Sequence, residues 1–162
     1  METDKKNRVQ EVFNLLKEKK MTFASAESCT GGNIAHYITL IPGSSDVFRG
    51  GVVTYATPTK TKVLGVPANM IERHGVVSRE VVEAMARGAR DLMEADFGIA
   101  TTGVAGPSGG TELTPVGTVW IGIATPSGVN ARCFQFGKGR RKVIGQATKA
   151  AYSMLYEALL PL

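Results

Sequence analysis

The chain has 162 residues, of which 43% are hydrophobic and 20% charged, with a formal net charge of +5 at pH 7. This length and composition are typical of one globular domain, so we expect a single domain over residues 1–162. No apolar run approaches the ~20 residues of a membrane span. The two cysteines are far apart and lack metal-type spacing with the two histidines, which argues against a disulfide framework or a metal site.

The N-terminal segment, METDKKNRVQEVFNLLKEKK, is charged and periodic and has no apolar core of a secretion signal, so we expect a cytoplasmic protein. Part of the positive charge lies in two sets, at positions 60–62 and 138–142. Nucleic-acid binders usually interleave aromatic residues with such charge, and only Phe134 and Phe136 lie near the second set. A small phosphorylated ligand needs much less basic surface. We therefore expect neither a nucleic acid nor a membrane as partner.

Periodicity and turn residues predict helices and strands in alternation. In chain order they are a helix at 5–19, a strand at 21–27, a helix at 31–41, a strand at 47–55, one or two helical turns at 57–65, a helix at 79–94, strands at 97–106, 116–125 and 130–137, and a helix at 142–160. This order predicts an α/β sandwich with a mixed, mostly parallel sheet that ends in an antiparallel pair. Ligands of such sheets bind at the carboxyl ends of strands. The loops 28–32, 56–60 and 103–117 are therefore the candidate site.

Residues 25–32, SAESCTGG, place small hydroxyl and thiol side chains beside two glycines, directly before a helical pattern. Ser28 and Thr30 could simply cap the helix, since hydroxyls accept hydrogen bonds from free helix-end N–H groups. The same geometry suits an anion site, where exposed N–H groups and glycines admit a phosphate or an oxyanion. Such a turn would also present Ser28 or Cys29 as a nucleophile. The local sequence leaves both interpretations open.

A lysine is the best candidate to activate a nucleophile on this turn. His36 falls inside a predicted helix and His74 in a connecting turn, so neither suggests a serine–histidine triad. Lys60 follows a strand end that carries Tyr55, and both could reach the Ser28 turn. A lysine acts as a base only when neutral, which requires desolvation or neighbouring positive charge. The alternative is that Lys60 is a solvated surface charge and Tyr55 an amphipathic strand residue.

The segment GVAGPSGGTELTPVG, residues 103–117, offers further backbone donors that could cradle a phosphate. It matches neither a P-loop nor a GxGxxG fingerprint, so nucleotide hydrolysis of the Walker type has no support.

Several segments recur together, in order, in one known family. They are AESCTGG (26–32), the Tyr55…Lys60 pair, KVLGV (62–66), GVVSREVVEAMARGAR (75–90), GVAGPSGG (103–110) and PVGTVWIGIA (115–124). On these motifs the chain resembles the CinA C-terminal-domain family, the nicotinamide-nucleotide amidases of the PncC type. The resemblance covers about residues 8–160. Larger members carry an additional N-terminal molybdopterin-binding-like domain, and this chain resembles the stand-alone form.

The resemblance implies a three-layer α/β/α fold, a homo-oligomer and hydrolysis of the carboxamide of nicotinamide mononucleotide, without cofactor or metal. It implies that Ser28 is the nucleophile, Lys60 the base and Tyr55 their partner, and it favours Ser28 over Cys29, which we expect to be buried. Backbone N–H groups near Thr30–Gly32 would stabilise the oxyanion. The residues expected to bind substrate are Thr30, Gly31, Gly32, Gly103, Ala105, Gly106, Gly109, Gly110 and Arg140.

Three segments depart from the family's pattern. Tyr-Ser-Asn is here 55–57 (YAT), Lys-Pro-Val-Gly is 114–117 (TPVG), and Gly-Asp-Arg aligns with 138–140 (KGR), with Ile144 in place of a following arginine. Each change removes a polar group expected near the nucleotide. Arg140 and Arg141 could still meet the phosphate or be solvated helix-start charges. The departures motivate a second hypothesis, a pyridine-nucleotide-binding or partner-docking module without turnover; a role in DNA uptake or damage has little support in the charge pattern.

Overall fold

Helices and strands alternate along residues 2–162, the part of the chain that this computed structural model describes; Met1, the first residue of the expected domain, lies outside it. In chain order the elements are α1 (Glu2–Lys19), β1 (Phe23–Glu27), α2 (Asn33–Thr39), a short 3-10 helix (Ser44–Asp46), β2 (Phe48–Val53), α3 (Thr57–Leu64), α4 (Ala68–His74), α5 (Arg79–Leu92), β3 (Phe97–Gly103), β4 (Thr118–Ala124), β5 (Val129–Gln135) and α6 (Arg140–Leu159). No helix within this range is long and apolar enough to cross a membrane.

The five strands form one mixed sheet in the order β2-β1-β3-β4-β5. Strand β1 pairs in parallel with β2 and β3, whereas β4 pairs antiparallel with both β3 and β5. The mixed α/β sheet expected from the sequence is therefore confirmed: β4 alone runs opposite to the other four strands, and its two pairings are the antiparallel ones. The reason lies between β3 and β4, where the connecting segment 104–117 contains no crossover helix and lets β4 return beside β3.

Helices cover both faces of the sheet, which confirms the three-layer α/β/α arrangement. On one face α1, α2 and α6 enclose a core that includes Leu16, Ile34 and Leu155. On the other face α5 packs with α3 and α4 over a second core of small and branched side chains. Helix α5 lies very close to the sheet at Gly98, where an added Cβ would come within 2.1 Å of the carbonyl oxygen of Ala86.

Two local predictions need correction. Helix α4, which has two turns and no side-chain N-cap, was not predicted, and His74 lies in its last turn rather than in a connecting turn. Helix α2 begins at Asn33, later than the predicted residue 31, because Gly31 and Gly32 adopt positive φ angles of 63° and 104°. These two glycines form the turn that follows β1.

The parallel strands bring the predicted loops to one edge of the sheet. Strands β1, β2 and β3 run in the same direction, so the segments that follow their carboxyl ends lie side by side. The candidate site is formed at this edge.

Candidate active site

Ser28 is the first residue after β1 and is half-buried at the edge of the sheet. Its backbone N–H donates to the carbonyl oxygen of Thr101 on β3, at 3.2 Å. This bond extends the parallel pairing of β1 and β3 by one residue, so the position of Ser28 is set by the sheet. Its hydroxyl lines a cavity of about 280 Å³.

Lys60 lies on α3 and is almost completely buried, with 1% of its surface exposed. Its Nζ lies 3.0 Å from Ser28 Oγ, 2.6 Å from the carbonyl oxygen of Thr54 and 3.4 Å from that of Tyr55. All three partners are uncharged. The alternative that Lys60 is a solvated surface charge is therefore wrong.

This environment changes the acid–base behaviour of the amine. Burial lowers the pKa of Lys60 below the usual 10.5, opposed by the nearby Cys29. A larger fraction of the side chain is therefore neutral, and a neutral amine has a lone pair that can accept the proton of Ser28 Oγ. The site therefore holds the two groups of a serine–lysine pair, a hydroxyl and an amine that could accept its proton, within hydrogen-bond distance.

Cys29 is buried, with 6% of its surface exposed. Burial raises the pKa of its thiol to about 11, which the hydroxyl of Thr101 only partly opposes. At neutral pH the side chain is therefore a thiol and not the reactive thiolate. The expectation that Cys29 is a buried small residue is confirmed.

Tyr55 lies at the rim of the cavity with 57% of its surface exposed. Its hydroxyl accepts a hydrogen bond from Arg140 Nη2 at 2.8 Å, and Arg140 Nη1 donates to the carbonyl oxygen of Gly106 at 2.7 Å. Arg140 thus connects the start of α6 with the strand end of Tyr55 and with the 103–110 loop. The hydroxyl of Tyr55 contacts Arg140 rather than Ser28 or Lys60, so its part in proton transfer stays a prediction.

The start of α2 is occupied by a side chain of the same chain. Glu27 is buried, and its carboxylate accepts hydrogen bonds from the N–H groups of Ile34 at 2.9 Å and Ala35 at 3.1 Å. The N–H of Gly31 donates to the carbonyl oxygen of Ser28. The predicted anion site at this helix end is therefore filled from within, by Glu27, and neither Ser28 nor Thr30 is the cap.

Most, but not all, of the predicted binding residues line the cavity. Those that do are Gly103, Ala105, Gly106, Gly109 and Arg140, together with Ser28, Tyr55 and Lys60. Those that do not are Thr30, Gly31, Gly32 and Gly110. The first three belong to the turn that faces Glu27 and α2, and Gly110 lies one residue beyond the wall that ends at Gly109.

The structure adds lining residues that the sequence interpretation left out, namely Thr57, Val76, Val77, Thr102, Val104 and Ser108. Thr102 donates from Oγ1 to the carbonyl oxygen of Val76 at 2.9 Å, which ties β3 to the segment before α5. A signal for Thr102 was available, since it is the next-to-last residue of a buried strand that leads into the candidate loop. Neither histidine lines this cavity. Three of the residues that depart from the family's pattern also lie outside the lining, namely Ala56, Thr114 and Gly139.

The fold and site define a three-layer α/β domain with a buried lysine paired to a serine at the carboxyl ends of parallel strands. The chain belongs to the CinA C-terminal-domain family, whose model matches residues 5–159. It is 49% identical over 146 residues to a CinA-like protein of Flavobacterium psychrophilum, covering 90% of this chain and 35% of that one. It is 43% identical over 158 residues to a protein of Shewanella oneidensis named nicotinamide-nucleotide amidohydrolase PncC, covering 97% of this chain and 37% of that one.

Solved structures share the fold along the whole chain. The crystal structure of a competence-damaged protein (CinA) superfamily protein from Klebsiella pneumoniae superposes with a TM-score of 0.94 at 32% identity, covering 98% of this chain and 99% of that chain. By contrast, the chain spans only about a third of the length of the curated relatives it matches.

Proposed function

We propose that this chain hydrolyses the carboxamide of nicotinamide mononucleotide to nicotinate mononucleotide and ammonia. The observation that carries the proposal is the 3.0 Å separation between Lys60 Nζ and Ser28 Oγ at the wall of an open cavity. A buried lysine with uncharged partners is costly to maintain, and such groups are concentrated at functional sites. The name of the Shewanella relative indicates the amide and the nucleotide as substrate.

The proposed reaction proceeds through an acyl-enzyme. Neutral Lys60 takes the proton from Ser28 Oγ as this oxygen attacks the amide carbon, and the C=O electrons move onto the carbonyl oxygen. The tetrahedral intermediate collapses, the C–N bond breaks, and Lys60 returns the proton to the leaving ammonia. Water, deprotonated by Lys60, then cleaves the ester of Ser28 and releases the nicotinate group, with the proton returned to Ser28.

The oxyanion needs donors other than those first expected. Since Thr30–Gly32 do not line the cavity, we assign this role to the backbone N–H groups of Ala105, Gly106, Ser108 and Gly109, which do. None of these N–H groups donates to a backbone carbonyl within residues 2–162. Loss of one oxyanion donor typically costs about 3–4 kcal/mol of activation free energy. Arg140, at the rim, is the cation we assign to the phosphate of the nucleotide.

Ammonia release from nicotinamide mononucleotide tests the proposal, with nicotinamide and its riboside as substrate controls. We expect turnover of the nucleotide, no turnover by Ser28→Ala or Lys60→Met, and wild-type turnover by Lys62→Met. Lys62 is the matched control because it lies on the same helix but is exposed. Binding of the nucleotide without ammonia release would instead support a binding module, and the stabilisation expected at a hundred times Kd is about 2.7 kcal/mol.

A further inference from the structure

A chain of buried hydrogen bonds leads from the backbone of Ser28 to a carboxylate. The N–H of Ser28 lies 3.4 Å from Thr101 Oγ1, which lies 2.9 Å from Thr30 Oγ1, which lies 2.6 Å from Glu27 Oε1. The side chains of Glu27, Thr30 and Thr101 are each at most 2% exposed. None of the three lines the cavity, so they do not contact substrate there.

The direction of these bonds is fixed by the chemistry of their two ends. The carboxylate of Glu27 only accepts, so the hydroxyl of Thr30 donates to it. The oxygen of Thr30 is then free to accept, and the hydroxyl of Thr101 donates to it. The N–H of Ser28 is shared between two oxygens of Thr101, the carbonyl oxygen at 3.2 Å and the hydroxyl oxygen at 3.4 Å.

The same carboxylate also holds the other side of the turn. Glu27 accepts from the N–H groups of Ile34 and Ala35 at the start of α2. The turn 28–32 is therefore attached to β3 through Thr101 and to α2 through Glu27. Polar side chains without access to water are destabilising unless they are paired, and apolar side chains of the same shape would fill this volume at lower cost.

We propose that Glu27, Thr30 and Thr101 form a positioning network that holds Ser28 at the distance from Lys60 that the reaction requires. The inference rests on the proposed function, in which Ser28 is the nucleophile. Thr101 is the member to test first, because it contacts the backbone of Ser28 directly and its hydroxyl can be removed with little change of shape.

The test compares Thr101→Val, which keeps the shape and loses the hydroxyl, with Thr101→Ser, which keeps the hydroxyl and loses a methyl group. We expect Thr101→Val to lower kcat by about 10²-fold with little change in KM, since small displacements of a reacting group have effects of this order. Thr101→Ser should keep most of the wild-type kcat. Thr148→Val is the control for removal of a buried hydroxyl, because Thr148 lies on α6 and donates only to the carbonyl oxygen of Ile144.

A second readout separates this inference from the choice of substrate. The rate at which a fluorophosphonate labels Ser28, followed by intact mass, should fall in Thr101→Val in parallel with kcat and stay high in Thr101→Ser. Labelled wild type without ammonia release would refute the proposed substrate and leave the inference standing. Wild type that neither labels nor turns over would overturn both.

Equal kcat and labelling rates in Thr101→Val and Thr101→Ser, with both folded by thermal melting, would overturn the network. If Thr101→Val does not fold, the test moves to Thr30, whose hydroxyl donates to Glu27. Thr30→Val loses this bond and Thr30→Ser keeps it, so kcat and the labelling rate should fall in the first variant and stay high in the second.

Discussion

The Ser28 turn and the 103–110 loop both contain several glycines and meet at the cavity, but they contribute to it differently. The turn is attached to its surroundings by the N–H of Gly31, which donates to the carbonyl oxygen of Ser28, and is followed by the N–H groups of Ile34 and Ala35, which donate to Glu27. In the 103–110 loop, residues 103–106 and 108–109 line the cavity, and the N–H groups of Ala105, Gly106, Ser108 and Gly109 donate to no backbone carbonyl of residues 2–162. The turn therefore brings the Ser28 side chain to the cavity, whereas the loop supplies a continuous part of the cavity wall.

The glycines themselves also differ in what they allow. An added Cβ at Gly31 would meet nothing within 4 Å, so only its positive φ requires glycine there. An added Cβ at Gly106 would come within 2.5 Å of Val116 Cγ1, at a positive φ of 86°. A cluster of glycines in a sequence therefore does not by itself indicate an anion site, because turn geometry and close packing select the same residue.

The largest effect on kcat is expected for substitution of Ser28 or of its partner Lys60. Ser28→Ala and Lys60→Met should each lower kcat by about 10⁴–10⁶-fold, as for other nucleophile–base pairs. Since the two groups act as one unit, the double variant should be no slower than the slower single variant. Single-turnover kinetics of the three variants check this. Additive losses would show that Lys60 acts separately from Ser28, and the pair would have to be abandoned as the catalytic unit.

The second effect, on stability, distinguishes the two kinds of glycine. Gly106→Ala should destabilise the protein by about 2–4 kcal/mol, from backbone strain and from overpacking against Val116. Gly31→Ala should cost about 1–2 kcal/mol, because only the backbone strain remains. Urea unfolding of both variants measures the difference. Equal losses would mean that Val116 moves aside and that the wall is not closely packed.

The contact between Ser28 and Lys60 could be predicted from the sequence because it depends on local order along parallel strands. Ser28 and Lys60 each follow a predicted strand, and carboxyl ends of adjacent parallel strands lie together. The Thr101 contact was not predictable in the same way, because 73 residues separate it from Ser28 and only strand register brings them together. Helix α4 was missed because seven residues carry too little periodicity.

The position of Thr30–Gly32 outside the cavity lining, contrary to expectation, has a local cause. The sequence pattern of a helix start is the same whether its N–H groups bind a ligand or a side chain of the protein. The signal that could have decided the question was Glu27, a carboxylate at the end of a buried strand, directly before the turn. Among residues near a helix start, an acidic side chain of the chain itself competes with any external anion.

A smaller effect is expected at Arg140, which connects the 103–110 loop with Tyr55. Arg140→Lys keeps the charge but loses the fork that bonds to Tyr55 and Gly106 at once, so we expect about a tenfold decrease in kcat/KM. The exposed neighbour Arg141, changed to lysine in the same way, is the control and should have wild-type kinetics. Steady-state kinetics on nicotinamide mononucleotide checks both variants. Equal kcat/KM values for Arg140→Lys and Arg141→Lys would show that Arg140 does not contribute to substrate binding.

The smallest effect is the contribution of Lys60 to the pH dependence of stability, which is opposite in sign to that of Cys29, whose pKa burial raises. Because burial lowers its pKa in the folded state, the unfolded chain binds more protons between that lowered pKa and 10.5, so wild-type stability gains a positive slope with pH in this window. Lys60→Met removes this contribution. The free energy of unfolding of the variant minus that of wild type should therefore fall as pH rises toward 10.5, by at most about 1.4 kcal/mol per pH unit. Lys62→Met, with its exposed amine, should show a flat difference in the same urea titrations. A flat difference for Lys60→Met as well would mean that the folded state does not favour the neutral amine, and the serine–lysine pair would lose its base.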